Sequence, residues 1–97
     1  SLRISLNSST ETINRLITKL RTMLKANKKI IPETVIVFLD KIEDDANVIG
    51  ITLHINTDDY NEYLLIKQKI NCDILDVLER ENVELVYPTQ KVYMKTI

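Results

Sequence analysis

Residues 34–42 read TVIVFLDKI, residues 43–47 read EDDAN, and residues 48–56 read VIGITLHIN. The outer two stretches are crowded with β-branched and apolar side chains. The middle one is short and polar. That pattern predicts an antiparallel hairpin. In its first strand, Val35, Val37 and Leu39 fall on one face and Ile36, Phe38 and Ile42 on the other. Both faces are apolar, so cover is expected on both sides, from this chain or from a partner. In its second strand, Ile49, Ile51, Leu53 and Ile55 point inward, while Gly50, Thr52 and His54 point outward.

Before the hairpin, Leu2, Ile4 and Leu6 alternate with Arg3 and Ser5, as in a short half-buried strand. Ser8 and Glu11 have the spacing of a reciprocal helix cap. Ile13, Leu16, Ile17, Leu20, Met23 and Leu24 then keep to one stripe of a helix. Its end is expected near Ala26 and Asn27, with Lys28 and Lys29 against the C-terminal dipole, and Pro32 blocks continuation.

After the hairpin, Thr57 reads as the cap of a second helix, with Asp58 and Asp59 in its positive first turn. Tyr63, Ile66, Ile70, Ile74 and Val77 form its stripe, widened by Leu64, Leu75 and Leu78, and the helix is expected to reach about Glu81. Residues 83–87 alternate weakly and end at Pro88, and residues 91–95 form a last extended piece. The order β-α-β-β-α-β predicts an α+β, ferredoxin-like domain over residues 1–86. Its plan is two helices on one face of a four-stranded antiparallel sheet, followed by a short C-terminal strand in residues 87–97. That plan hosts many functions, so it decides none of them.

With 97 residues the chain has room for one core. A net charge of −1, 44% apolar and 28% charged residues fit a folded domain and exclude a polycationic nucleic-acid binder. One cysteine excludes a disulfide framework and a cysteine zinc site, and fits a reducing compartment. No apolar run is long enough to span a bilayer, and no signal-peptide pattern opens the chain. The chain opens inside a strand, which reads as a piece of a longer protein. Charge is unevenly spread. Residues 1–32 carry seven basic side chains and one acid, and residues 33–97 carry six basic and thirteen acidic ones. Two solvated helix faces would account for this, and so would head-to-tail neighbours.

The usual chemistries of the plan lack their residues. RNA recognition needs aromatics on the central strands, and residues 48–56 have none. A soft-metal carrier needs paired cysteines before the first helix, where Asn7, Ser8, Ser9 and Thr10 stand. A phosphate-cradling loop needs glycine there. His54 is the single histidine, with Thr52 its nearest same-face neighbour, and reads as structural. Cys72 reads as a buried inert thiol. Glu43, Asp44 and Asp45 lack the spacing and glycine of a calcium loop and read as a solvated turn. No catalytic residue, cofactor site or metal site is expected, and the chain does not read as an enzyme.

The informative pattern is at the C-terminus. A helix through Ile70, Ile74, Val77 and Leu78 leads by Asn82-Val83-Glu84-Leu85-Val86 into Tyr87-Pro88-Thr89-Gln90-Lys91-Val92-Tyr93-Met94. This resembles the cytosolic C-terminal segment of the small-conductance mechanosensitive channel (MscS) family. Many members read Phe-Pro-Thr-Gln-Thr-Val-Tyr-Leu there, without a gap. Leu6 to Thr10 and Ile55 to Tyr60 are similar to the family's two strand-to-helix turns. Asn82 stands where glycine is usual, and asparagine also tolerates the left-handed cap. Val86 replaces the common Ala or Pro, Lys91 replaces Thr, and the family's first-turn Tyr is absent.

The resemblance implies a part of a channel. Members are membrane heptamers opened by bilayer tension, with a hollow cytosolic cage through which ions and osmolytes reach the pore. It implies a homo-oligomer, transmembrane helices upstream, a place on the cytoplasmic side of the cell membrane, and no nucleic-acid partner. Tyr87 to Met94 would be the interface strand that joins a parallel barrel at the base. Apart from the resemblance, a short strand at 91–95 with no partner in its own fold would be satisfied by a closed ring of copies. The charge split would suit such a ring. The competing expectation is a stand-alone module for sensing a small ligand, with Thr52 and His54 on its outer face, or an interaction module.

Overall fold

A computed structural model describes residues 1–5 and 7–86. The elements are β1 (Leu2–Ile4), α1 (Thr10–Ala26), a single 3-10 turn (Pro32–Thr34), β2 (Ile36–Ile42), β3 (Asn47–Thr52) and α2 (Tyr60–Arg80). The fold is α+β. Two helices pack on a three-stranded antiparallel sheet of order β1-β3-β2.

The expected fourth strand is reduced among the described residues to an isolated antiparallel bridge between Ile4 and Leu85. Two backbone hydrogen bonds accompany it: Ser5 N–H donates to the Glu84 carbonyl at 3.1 Å, and Val86 N–H to the Arg3 carbonyl at 2.8 Å. β1 is only three residues long, so it offers little ladder to its outer neighbour. The expected strands at 87 and 91–95 lie outside the described residues.

The core is one cluster. Leu16, Leu20 and Leu24 of α1 are fully buried, as are Ile4 and Ile49 of the sheet. Ile70, Ile74, Val77 and Leu78 of α2 join them with Val37 and Val83. Register sets the helix-facing side of the sheet: Leu2 pairs with Ile49, and Val37 with Ile51. The hairpin has an irregularity between Leu39 and Lys41. One extra residue reverses the alternation. Ile42 therefore pairs with Asn47 and stands on the side of Leu39, not with Ile36 and Phe38 as expected.

The caps also differ in detail from the sequence expectation. Ser9, not Ser8, caps α1: its hydroxyl accepts from Thr12 N–H at 3.1 Å and donates to the Thr12 hydroxyl at 3.0 Å. Glu11 lies one position too early to close a reciprocal box around Ser9. The end of α1 at Ala26 with Asn27 as cap is as expected. Asp59, not Thr57, caps α2 by accepting from Asn61 N–H at 2.9 Å. Thr57 instead accepts from Asp59 N–H and donates to Glu62.

The hairpin strands are shorter than the sequence suggested. Pro32 starts a 3-10 turn that delays β2 to Ile36. β3 leaves the sheet after Thr52, because residues beyond it exchange partners. Ile31 N–H donates to the His54 carbonyl at 3.0 Å, Asn56 N–H to the Lys29 carbonyl at 2.8 Å, and Ile30 bridges Ile55.

Candidate subunit interface

The interface strand expected from sequence, Tyr87, Pro88, Thr89, Gln90, Lys91, Val92, Tyr93 and Met94, lies outside the described residues. The stem leading to it is described. Asn82 has φ of 57°, the left-handed region. It lets the chain reverse in a double hydrogen-bonded turn. Val83 N–H donates to the Leu78 carbonyl at 3.0 Å, and Asn82 N–H to the Glu79 carbonyl at 3.1 Å. This is the Schellman arrangement, and its usual apolar contact is supplied by Leu78 and Val83, both in the core. The stem then runs beside β1 through the Ile4–Leu85 bridge.

Ion pairs brace this end of the molecule. Arg15 Nε donates to the Glu81 carboxylate at 2.7 Å, tying α1 to the end of α2, and the Glu81 side chain is only 12% exposed. Arg3 donates to Glu43 and, at 2.6 Å, to Asp45 across the outer end of the sheet. Glu43 and Asp45 are thus an internal counterion for Arg3, and no longer simply a solvated turn. Lys29 pairs with Glu62 at 3.6 Å. Lys69 pairs with Asp73 at 3.0 Å, one helical turn apart. The carboxylates hold Arg3, Arg15 and Lys69 above their ordinary pKa values, in each case mainly through the hydrogen bond. These contacts use up much of the charge split within one subunit. Lys19, Lys25 and Lys28 keep no ion-pair partner among the described residues, and neither do Asp76 and Glu79.

Burial departs from expectation in α2 and on the outer sheet face. Cys72 is exposed, not buried, because Ile70 and Ile74 carry the core contact on either side of it. Of the residues that widened the apolar stripe, only Leu78 is buried. Leu64 and Leu75 are exposed at 43% and 52%, and Leu65 at 68%. Tyr60 and Tyr63 stack on one another at the start of α2, and both are exposed. On the open face of the sheet Ile36 is exposed and Phe38 lies across Gly50. A Cβ at Gly50 would come within 2.5 Å of the Phe38 ring.

The described surface has shallow grooves. One of about 520 Å³ runs between α2 and β3 and includes Leu2, Thr52, Tyr63 and Asn71. His54 lines an adjoining depression of about 310 Å³ that shares Leu53, Ile55 and Tyr63 with it. Thr52 lines the first of these and His54 the second. His54 is held by its backbone, whose N–H donates to the Thr34 hydroxyl at 2.9 Å. Among the described residues no three His, Cys, Asp or Glu side chains are grouped to hold a metal. No described helix is long and apolar enough to cross a membrane.

Sequence reasoning missed the apolar residues that remain outside. The signal was present, since Leu65 and Leu75 fall off the stripe of Ile66, Ile70, Ile74 and Val77 at 100° per residue.

Comparison with known proteins agrees with this geometry. Residues 1–85 match the family described as mechanosensitive ion channel MscS, C-terminal. The chain is 30% identical over 95 residues to YhdY, an uncharacterised MscS family protein of Bacillus subtilis (strain 168). It is 28% identical over 86 residues to an uncharacterised MscS family protein of Aquifex aeolicus (strain VF5). These alignments take in 98% and 88% of the chain but only 26% and 23% of the relatives, so the chain spans about a quarter of their length. Among solved structures, the cryo-EM structure of Arabidopsis thaliana MSL1 A320V superposes with a TM-score of 0.80 at 13% identity. It covers 90% of this chain and 33% of that one. The wild-type protein gives 0.76 at 16% identity, with 90% and 31% covered. At such identities the likeness is one of fold. The family match carries the assignment: the chain belongs to the MscS family of mechanosensitive ion channels, with residues 1–85 corresponding to its C-terminal domain.

Proposed function

We propose that this domain is one subunit's share of the cytosolic cage of a tension-gated channel. The observation that carries the reading is the match of residues 1–85 to the C-terminal channel domain in a chain one quarter the length of its relatives. On this reading the remaining three quarters supply the membrane helices and pore. The channel lies in the cell membrane with this domain on the cytoplasmic side. Seven copies enclose a vestibule whose side openings pass hydrated ions and small osmolytes and retain larger solutes.

Within each copy, residues 83–86 complete a four-stranded ferredoxin-like plan beside β1. The Ile4–Leu85 bridge and its two flanking backbone hydrogen bonds support this. Residues 87–97 then leave the domain as a separate strand. Tyr87 to Met94 assemble with six copies into a parallel barrel, which closes a ladder that one copy would leave open. The alignment with YhdY supports a shared role for this tail, since at 98% of the chain it takes in most of it.

Patch-clamp recording of the full-length gene product, in spheroplasts lacking their own mechanosensitive channels, tests the reading. Stretch-activated current is expected. Truncation after Val86 is expected to reduce the recovered oligomer. Absence of any current under tension, or a water-soluble monomeric gene product, would overturn it.

A further inference from the structure

We infer that the groove between α2 and β3 is filled by this chain's own continuation, the residues immediately before Ser1 in the full-length protein, which extend β1 along β3. The inference rests on the cage reading in one respect, that the rest of the channel precedes this domain. What carries it is an open edge in the middle of the fold. β1 and β3 pair only as far as Leu2 opposite Ile49. β3 runs on to Thr52, and beyond it Ile55 still bridges Ile30 on the other side.

Backbone direction shows which groups are left over. In an antiparallel ladder both groups of a residue point to one edge, and successive residues alternate. The His54 carbonyl accepts from Ile31 and Asn56 N–H donates to Lys29, so the even-numbered residues here turn toward β2 and the segment before it. Arg3 and Ser5 turn toward residues 84–86, so Leu2 and Ile4 turn toward β3. Ile51 and Leu53 therefore aim their N–H and C=O groups at the edge where β1 stops. Among the described residues neither has a backbone partner there. Half-buried backbone groups without partners are a template for another strand.

The register then places the newcomer. The residue before Ser1 stands opposite Ile51 and on the same face of the sheet as Leu2. Leu2 packs against the core on the helix side. The new side chain thus enters the groove of about 520 Å³, among Leu2, Ile51, Ile70, Asn71 and Ile74. Apart from Asn71 these neighbours are apolar, so the position calls for an apolar side chain. Two residues further back the strand passes Leu53, beside Tyr63 and Lys67 of α2. A separate peptide would also fit such an edge. The covalent continuation displaces it, because a segment tethered at Ser1 has an effective concentration on the order of millimolar. The incoming strand is then gripped by the sheet and by α2 together, so its displacement reaches α2 without a slack linker.

Photo-cross-linking in the full-length protein tests this. Asn71 would be replaced by p-benzoylphenylalanine, the protein irradiated in membranes, and the joined peptides identified by mass spectrometry. The expected product has the mass of one subunit and joins position 71 to the residues just before Ser1. Its yield should be about tenfold that from the same probe at Gln68, which is exposed on the far side of α2. Capture of a second subunit, of another protein, or of residues 1–97 alone overturns the inference. Hydrogen exchange of the unsubstituted full-length protein gives an independent reading. The amides of Ile51 and Leu53 should exchange as slowly as that of Ile49, and rapid exchange at both overturns the inference as well. Either negative result from protein that passes stretch-activated current leaves the cage reading standing. The expected link in protein that passes none removes the cage reading and leaves this strand in place.

Discussion

Asn82 shows how one backbone angle positions a whole segment. At φ of 57° a side chain other than Gly or Asn is crowded against its own carbonyl. The family resemblance had pointed to a helix-ending position here because glycine is usual at it, and the structure supplies the reason. Asn82→Gly should leave stability within about 0.5 kcal/mol, while Asn82→Val should cost about 1–2 kcal/mol. Urea unfolding midpoints of the two variants would check this. Gly50 was read from sequence merely as an outward residue. Its actual constraint is the Phe38 ring resting on it, a cross-strand neighbour that one-dimensional alternation does not reveal. Gly50→Val should destabilise the domain by about 1–3 kcal/mol through that clash. Pairing it with Phe38→Ala should recover part of the loss, measurable as a non-additive double-mutant cycle.

At the scale of elements, helix existence and the core stripe of α1 were legible because six apolar residues share one period. Boundaries were less so. Ser8, Ser9 and Thr10 all offer hydroxyls, and only backbone geometry selects Ser9. The helix-side face of β2 was misassigned past Asp40, since an extra residue in one strand leaves no mark in composition. α2 was harder still. Its apolar residues cover more than one face, and sequence alone could not say which half of them turns inward. The structure separates the two groups, and their energetics should differ accordingly. Leu20→Ala removes a fully buried side chain and should cost about 2–5 kcal/mol. Leu65→Ala, at 68% exposure, should change the stability of the unassembled domain by less than about 0.5 kcal/mol. Thermal melts of both variants provide the comparison.

At the scale of the whole molecule, the charge split read from sequence turns out to be partly internal. Arg3, Arg15 and Lys29 from the basic segment find acids of the same copy, which no count of charges by segment could foresee. The pairs also set a pH dependence. Asp73 raises the Lys69 pKa in the folded state, so the pair's contribution is present below the ordinary lysine value and is lost as pH rises through the folded one. Lys69→Met should therefore shift the melting temperature equally at about pH 6 and about pH 8. The shift should shrink only above about pH 10. The tail that the sequence singled out as the interface is not reached by the described residues, whereas the stem that launches it is.

The Ile4–Leu85 bridge has one further consequence, for synthesis. It joins the first strand of the chain to nearly the last described residue, so Ile4 gains its outer neighbour only when residue 85 arrives. While the ribosome is still translating α2, the nascent domain holds its opening strand and both hairpin strands but not the segment that seals them. Chains released early, anywhere before Val83, would leave the tunnel with that side of the core uncovered, and quality control would meet them as unfinished.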